Sequence, residues 1–293
     1  MDVTDNKITK NYAMYCGDSV DVIKSLPSDS VGLSIFSPPF SNLYIYSDSY
    51  RDMGNARTDK EFFKHFSYLV PEMLRITMPG RLCVIHCKDL VKYKNRDKVS
   101  GIKDFPGQII TVMESLGWQY HSRVTIWKDP VIEMQRTKAH GLLYKQLRKD
   151  ASFSRQGLAD YLVIFRKWTE DYEDREPVVH TKDAFPLDQW QEWASPVWNT
   201  VKQTNVLNCR LARSDEDEKH ICPLQLDIVE RAVEMWSNPG NVIFSPFAGI
   251  GSEGYQAIKQ GRRFVGIELK KEYYKVAIEF LDEASDEEQT ELF

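Results

Sequence analysis

The sequence predicts a doubly wound α/β fold: a mostly parallel sheet of seven strands with helices on both faces. Three observations predict it. Short apolar runs recur with the unbroken character of buried parallel strands. Stretches of helical spacing separate them, and the alternation holds on both sides of one irregular excursion.

Taken in order, Tyr12–Tyr15 reads as the first strand and leads into Gly17-Asp18-Ser19, where Asp18 or Ser19 caps a helix over Val20–Leu26. Val31–Phe36 is the second strand, ended by Ser37-Pro38-Pro39-Phe40. Phe62, Phe66, Leu69, Val70, Met73 and Leu74 give Glu61–Thr77 its helical spacing, and Pro79-Gly80 is expected to stop that helix. Leu82–Cys87 is the third strand, and Phe105–Leu116 is a helix closed by Gly117. Val124–Trp127 and Tyr161–Phe165 are further strands with a basic segment between them. From Trp168 to Asp217 the chain is rich in Pro, Trp and acidic residues without periodicity, and reads as irregular. A helix over Gln225–Trp236 and a turn at Asn238-Pro239-Gly240 follow, then strand Val242–Phe244, helix Ser252–Lys259, strand Arg263–Ile267 and helix Glu272–Ala284. The acidic tail beyond is expected to be frayed and solvated.

Composition narrows the class. With 293 residues, 42% hydrophobic and 28% charged, the chain is neither disordered nor a small disulfide scaffold. No apolar run approaches the roughly 18 residues a membrane helix needs, and the N-terminus, Met1-Asp2-Val3-Thr4-Asp5-Asn6, is too polar for a signal peptide. A cytoplasmic setting is therefore expected. Five scattered cysteines fit reduced core thiols; Cys83-x₃-Cys87 lacks the second ligand pair of a zinc site, so no metal is expected. Net charge is −5, yet His121–Gly157 carries eight basic residues against three acidic ones, a local candidate for polyanion binding.

Two segments at strand carboxyl ends carry chemistry. In Phe244-Ser245-Pro246-Phe247-Ala248-Gly249-Ile250-Gly251-Ser252, two glycines let backbone approach a ligand, and the following helix points free N–H groups at the same place. The next strand ends at Glu268, a carboxylate able to accept from a ribose diol. Gly254 keeps the spacing of a dinucleotide fingerprint open, although Ser245-Pro246-Phe247 fits it poorly; a glycine turn of no function is the bland alternative. The second segment, Ser37-Pro38-Pro39-Phe40, offers carbonyl acceptors, a hydroxyl and an aromatic ring, a set suited to a flat substrate bearing an NH₂ group. An ordinary Pro-Pro turn is the alternative there.

Together these segments resemble the amino-DNA methyltransferases that use S-adenosyl-L-methionine, in the permuted order of the β class, with the catalytic half first and the cofactor half last. The resemblance implies the seven-stranded Rossmann-like methyltransferase sheet, one strand of it antiparallel, with an inserted target-recognition region, in a bacterial or phage-infected cell. Cys16-Gly17-Asp18 resembles the loop whose Asp meets the cofactor adenine, and His220-Ile221-Cys222-Pro223-Leu224 the segment lining its methionine end. The resemblance implies catalysis by Ser37, Pro38, Pro39 and Phe40, and cofactor binding by Asp18, Cys222, Pro223, Phe247, Ala248, Gly249, Gly251, Ser252 and Glu268. Double-stranded DNA would be the partner, met by Tyr46 and Arg51 and by Lys128, Arg136, Lys138, Lys145, Arg148, Lys149 and Arg155, half of the latter seven being alternatively a solvated face. Tyr44, Tyr46, Ser47, Asp48, Arg51, Asp52 and Asn55 are read as a lid over a flipped base. The implied organisation is a catalytic half (1–127), a basic insert (128–160), a returning strand (161–167), an excursion with a target-recognition role (168–219), a cofactor half (220–284) and the tail (285–293). A homodimer is compatible with the family; no restriction partner is named by any residue.

Ser at the first motif position leans toward cytosine N4, whereas Leu43–Ser49 with Arg51-Asp52-Met53-Gly54-Asn55 resembles phage and prophage-type methylases associated with adenine. The reading adopted is adenine N6, with cytosine N4 the alternative. A non-catalytic DNA-binding protein of the same fold, an RNA or protein methyltransferase, and a dehydrogenase are the rivals from other classes.

Overall fold

The computed structural model describes residues 3–40, 51–137, 141–171, 173, 175–182, 185–208 and 223–291. The chain opens with an antiparallel pair, β1 (Val3–Ile8) and β2 (Tyr12–Gly17), followed by the short α1 (Ser19–Val22), which tightens into a 3₁₀ turn over Ile23–Ser25. Then come β3 (Val31–Phe36), α2 (Asp59–Ile76) and β4 (Thr77–Lys88). A small hairpin of β5 (Leu90–Lys92) and β6 (Gly101–Lys103) encloses α3 (Lys94–Asp97) and precedes α4 (Phe105–Ser115) and β7 (Gln119–Ile126). The basic insert holds α5 (Pro130–Thr137) and α6 (Tyr144–Lys149), and the chain returns through β8 (Asp160–Arg166). Beyond it lie α7 (Leu187–Trp193), β9 (Val197–Trp198), α8 (Leu226–Trp236), β10 (Val242–Ser245), α9 (Ser252–Lys259), β11 (Arg263–Glu268) and α10 (Lys271–Glu291).

One sheet runs β1-β2-β11-β10-β3-β4-β8-β7-β9. The strands β2, β11, β10, β3 and β4 are parallel, and β8 is antiparallel to both β4 and β7. All seven expected strands are there; β1 and β9 extend the two edges. From β10 the chain winds to β11 on one side, and from β3 it winds to β4 on the other, so the β3/β10 boundary is the switch point of the sheet, where a crevice opens beyond the strand carboxyl ends.

Strand alternation divides the core. Leu33, Ile35 and Val84 pack with Ile228, Ala257 and Ala277 on one face, whereas Phe36, Cys83, Ile85 and Cys87 pack with Phe62, Phe66, Phe105 and Ile109 on the other. Cys16, Cys83 and Cys87 are buried thiols, and burial pushes each of them up from the ordinary thiol pKa. No helix among the described residues is long and apolar enough to cross a membrane.

Three expectations about local structure need correction. The α2 helix ends at Ile76, where the Thr77 hydroxyl donates to the Met73 carbonyl (2.7 Å), and the chain passes straight into β4; Pro79-Gly80 forms an irregularity within that strand. The region read as irregular after Trp168 carries α7 and β9. Trp198 is buried there and stacks on Trp236, with Arg231 held to Glu192 at 2.9 Å and lying over the rings of Trp193 and Trp198. The acidic tail is helical to Glu291, continuous with α10, and Lys259 pairs with Glu287 there at 2.8 Å.

Candidate active site

Every strand that points its end at the switch point contributes to one cavity of about 210 Å³. Parallel pairing of Phe244 with Ser34 places the tip after β3 beside the tip after β10, so Ser37, Pro38, Pro39 and Phe40 face Phe247, Ala248, Gly249 and Ile250 across it. The β2 end adds Asp18, the β11 end Glu268, Leu269 and Lys270, and the β4 end His86 and Lys88. Because β8 runs backwards, its first residue, Asp160, arrives at the same edge, as does Lys128 just past β7.

The glycine-turn side is built by backbone. The Ala248 N–H donates to the Ile267 carbonyl (2.9 Å), the Gly249 N–H to Glu268 Oε2 (2.8 Å) and the Lys270 N–H to Glu268 Oε1 (2.8 Å). Gly249 has φ +53° and a Cβ there would meet nothing, so this backbone looks onto open cavity. The Asp18 side chain caps α1 by accepting the Val20 N–H (3.0 Å), and the Ser19 hydroxyl donates to the Pro246 carbonyl, tying the β2 and β10 tips together. Phe247 leans on Phe36 with ring centroids 5.8 Å apart, and Pro223 and Ser252 complete the lining.

Electrostatics on this side favour proton uptake by carboxyls. Burial pushes Glu268 up to about 7, with the negative charge of Asp52 adding and the Lys270 and Gly249 N–H groups opposing. Glu253, in the first turn of α9, is 4% exposed and burial pushes it up to about 8. Asp18 is raised in the same direction, again chiefly by burial.

Two glycines are placed differently from the sequence reading. Gly251 (φ +89°) does not line the cavity; it precedes α9 and a Cβ there would lie 3.3 Å from Ala277, so it serves the turn and the packing of α10. Gly254 also serves packing, since a Cβ would sit 2.4 Å from the Phe264 ring and 2.5 Å from Leu281. Gly254→Ala should therefore destabilise the fold by about 1–3 kcal/mol through overpacking. Chemical denaturation measures this, and an unchanged midpoint would refute the close seating of α9 on the sheet.

On the other side of the cavity, the half-buried Ser37 hydroxyl lies 3.3 Å from both the His86 carbonyl and His86 Nδ1. Pro38 is buried, and Phe40 packs edge-on against Phe105, ring centroids 6.0 Å apart, which fixes its orientation at the wall. His86 Nε2 faces Asp160 Oδ2 at 3.2 Å, and Lys128 Nζ meets the same oxygen at 2.6 Å. Burial alone would raise Asp160, but the hydrogen bond to His86 and the neighbouring cations Lys128 and Lys88 hold it well below the usual carboxylate range. Lys88 pairs with Glu133 of α5 at 3.2 Å, so the basic insert is anchored to this wall.

The expected DNA contacts scatter. Lys145, Arg148 and Lys149 are exposed on α6 beside Tyr144, 76% exposed. Lys128 is instead buried in its ion pair with Asp160, since a cation beside a buried carboxylate is screened less by water than one at the surface. Arg51 pairs with Asp21 at 2.9 Å and lines the cavity near Asp18, and Arg155 is half-buried and donates to the Gln156 carbonyl. Tyr46, Lys138 and Cys222 lie outside the described residues, as do Tyr44, Ser47 and Asp48 of the expected lid; the Arg136 side chain also lies outside them. Of the lid, Arg51 and Asp52 line the cavity. The sequence reading missed His86, Lys88, Asp160 and Glu253 as cavity residues.

Fold and cavity together define an open α/β sheet with a ligand-sized crevice at its switch point. The chain belongs to the N6/N4 DNA methylase family, whose model, described as DNA methylase, matches residues 31–279 and so takes in both tips. It is similar to the DNA adenine methyltransferase YhdJ of Escherichia coli K12, 23% identical over 94% of this chain and 84% of that protein. The type II methyltransferase M.BglII of Bacillus subtilis is 24% identical over 94% of this chain and 70% of its own length. Among solved structures, the Thermus thermophilus protein TTHA0409, complexed with S-adenosyl-L-methionine, superposes with a TM-score of 0.67 at 19% identity, covering 94% of this chain and 96% of that one. The cytosine-N4-specific PvuII DNA methyltransferase gives 0.65 at 14% identity, covering 98% and 95%. Members of this family are amino-DNA methyltransferases dependent on S-adenosyl-L-methionine.

Proposed function

We propose that this DNA methyltransferase methylates adenine N6 of a base turned out of double-stranded DNA, with S-adenosyl-L-methionine seated on the glycine turn. The shared cavity carries the reading: the amine-accepting tip after β3 and the glycine turn after β10 line the same space. The residues of this chain fit the cofactor. The open approach at Gly249 admits a ligand close to backbone, and Glu268 has lone pairs left for ribose hydroxyls after taking two N–H groups. Asp18, Phe247, Pro223 and Ser252 surround that place. When bound, S-adenosyl-L-methionine supplies a methyl group activated by its sulfonium, so no covalent link to the enzyme is needed.

The task left to the chain is the nucleophile. A base amine is a poor one because its lone pair is delocalised into the ring. Ser37 Oγ and the Pro38 carbonyl, accepting its N–H protons, favour the pyramidal amine and localise that lone pair. Phe40, braced by Phe105, stacks on the base and holds it in line. Turning the base out costs a few kcal/mol, and stacking together with cationic contacts on α6 offsets part of it.

Adenine is supported by the similarity to the adenine methyltransferase YhdJ. Ser37 at the head of the tip and the fold shared with the cytosine-N4-specific PvuII enzyme favour cytosine N4 as a second reading. Expression in a methylation-free host, followed by modification-sensitive sequencing, tests both. N6-methyladenine in one sequence context is expected; N4-methylcytosine would overturn the choice of base, and an unmodified genome the assignment of activity.

The role of α6 has its own test. Replacing Lys145, Arg148 and Lys149 with Ala should weaken duplex binding. It should also make the slope of log K against log salt shallower by about 2 to 3 units, near 0.9 per lost phosphate contact. An unchanged slope would place the DNA elsewhere.

A further inference from the structure

Methylation replaces one N–H of the target amine with a methyl group, so one proton must leave the nitrogen and be held. Ser37, the residue proposed to touch that amine, carries a single hydroxyl proton. Two acceptors lie within reach of it, the His86 carbonyl and His86 Nδ1, each at 3.3 Å. The carbonyl can accept a hydrogen bond but cannot take the proton; the imidazole can.

Behind the ring the arrangement continues in a line. Nε2 faces Asp160 Oδ2 at 3.2 Å, and Lys128 holds the same oxygen at 2.6 Å. An ionised Asp160 accepts an N–H from Nε2, which selects the tautomer with an open lone pair on Nδ1, directed at Ser37. All three groups are nearly enclosed: His86 is 8% exposed, Asp160 6% and Lys128 7%. Enclosing Asp160 would require one counter-charge, and Lys128 supplies it. The histidine between that pair and a serine at the cavity wall helps hold Asp160 ionised through Nε2 and leaves its other ring nitrogen facing the serine.

We propose that Ser37, His86, Asp160 and Lys128 form a proton relay, with His86 the acceptor of the proton that the target amine releases. As the amine proton passes to Ser37 Oγ, the Ser37 proton passes to His86 Nδ1. Serine ends as a neutral hydroxyl, the methylated amine is neutral, and the imidazolium lies against the Asp160 carboxylate until it loses its proton to water. No oxidant, metal or covalent intermediate enters. His86 acts through Ser37 and is a positioning and proton-holding residue; Asp160 orients it, and Lys128 keeps Asp160 ionised. This inference rests on the proposed role of Ser37.

The test is a double-mutant cycle of H86Q and S37A, read by single-turnover methyl transfer to genomic DNA from a methylation-free host, with cofactor binding measured by calorimetry. Glutamine keeps a polar side chain but cannot hold a proton. We expect H86Q to transfer at least tenfold more slowly with cofactor affinity unchanged, and to add little further loss in the S37A background. A rate within twofold of wild type, or the same loss with and without Ser37, overturns the relay. Should H86Q fail to fold, H86G with added imidazole replaces it: a restored rate supports the relay, and an unrestored rate in a variant that still binds cofactor overturns it. If S37A itself turns over normally, the catalytic role of Ser37 fails first, and that outcome is distinct from a normal H86Q beside a slow S37A.

Discussion

Ser37→Ala is expected to slow methyl transfer by about 10²-fold to 10³-fold, the effect typical of removing one preorganised hydrogen-bond partner of a developing charge. The hydroxyl lies at the cavity wall facing the glycine turn, and its substitution leaves Pro38, Phe40 and the backbone of the tip in place. Cofactor affinity should be unchanged, because the groups proposed to face the cofactor lie at the ends of β2, β10 and β11 and at Pro223 and Ser252, not on the tip after β3. Single-turnover transfer of labelled methyl to duplex DNA, with calorimetry for the cofactor, separates the two. A slow variant that also loses cofactor would mean that the two sides of the cavity are not independent, and a variant at wild-type rate would remove Ser37 from the chemistry. Ser37→Thr, which keeps the hydroxyl, should fall between the two.

The parts of this fold that could be read from the sequence are those whose partners are local. Val31–Phe36 and Ser252–Lys259 have the bounds the sequence predicts, because an unbroken apolar run and a glycine-led helix start are written within a few residues. Both tips of the cavity were legible for the same reason. β1 was not: its residues Val3–Ile8 are mostly polar and exposed, and only pairing with β2 makes them a strand. The helical tail was hidden because a charge that compensates it stands on Lys259, in another helix.

The missed site residues follow the same logic. His86 ends an apolar run and reads as a strand interior, while its partners Ser37 and Asp160 lie 49 and 74 positions away. Asp160 opens a strand, and a search at strand carboxyl ends passes over it; only the antiparallel sense of β8 brings its first residue to the crevice. Lys128 looked like a surface cation within a basic run, and burial against Asp160 reverses that reading. A polar residue at either end of a strand, once the strand's direction is known, was the signal available.

Cofactor affinity should depend on pH through Glu268, and the sign is fixed by its surroundings. Burial pushes the carboxyl up to about 7, from an ordinary value of 4.5. Below about 7 it is protonated in the free protein. A ribose diol donates to the ionised form, so binding below that pH must expel a proton, and the dissociation constant should fall by up to about tenfold per pH unit as pH rises from 6 toward 7, then level off. Glu253, pushed up to about 8, extends the same trend for a ligand of net positive charge. The unbound fold behaves oppositely: it holds a proton on Glu268 that the unfolded chain has lost, so its stability falls between pH 4.5 and about 7. Glu268→Gln should remove the Glu268 part of both dependences, leaving that of Glu253, and weaken binding at pH 8 by about 10-fold to 100-fold, the worth of hydrogen bonds to a charged acceptor. Titration calorimetry in buffers of different ionisation enthalpy counts the proton directly, and a binding constant independent of pH from 6 to 8 would show that Glu268 does not meet the cofactor.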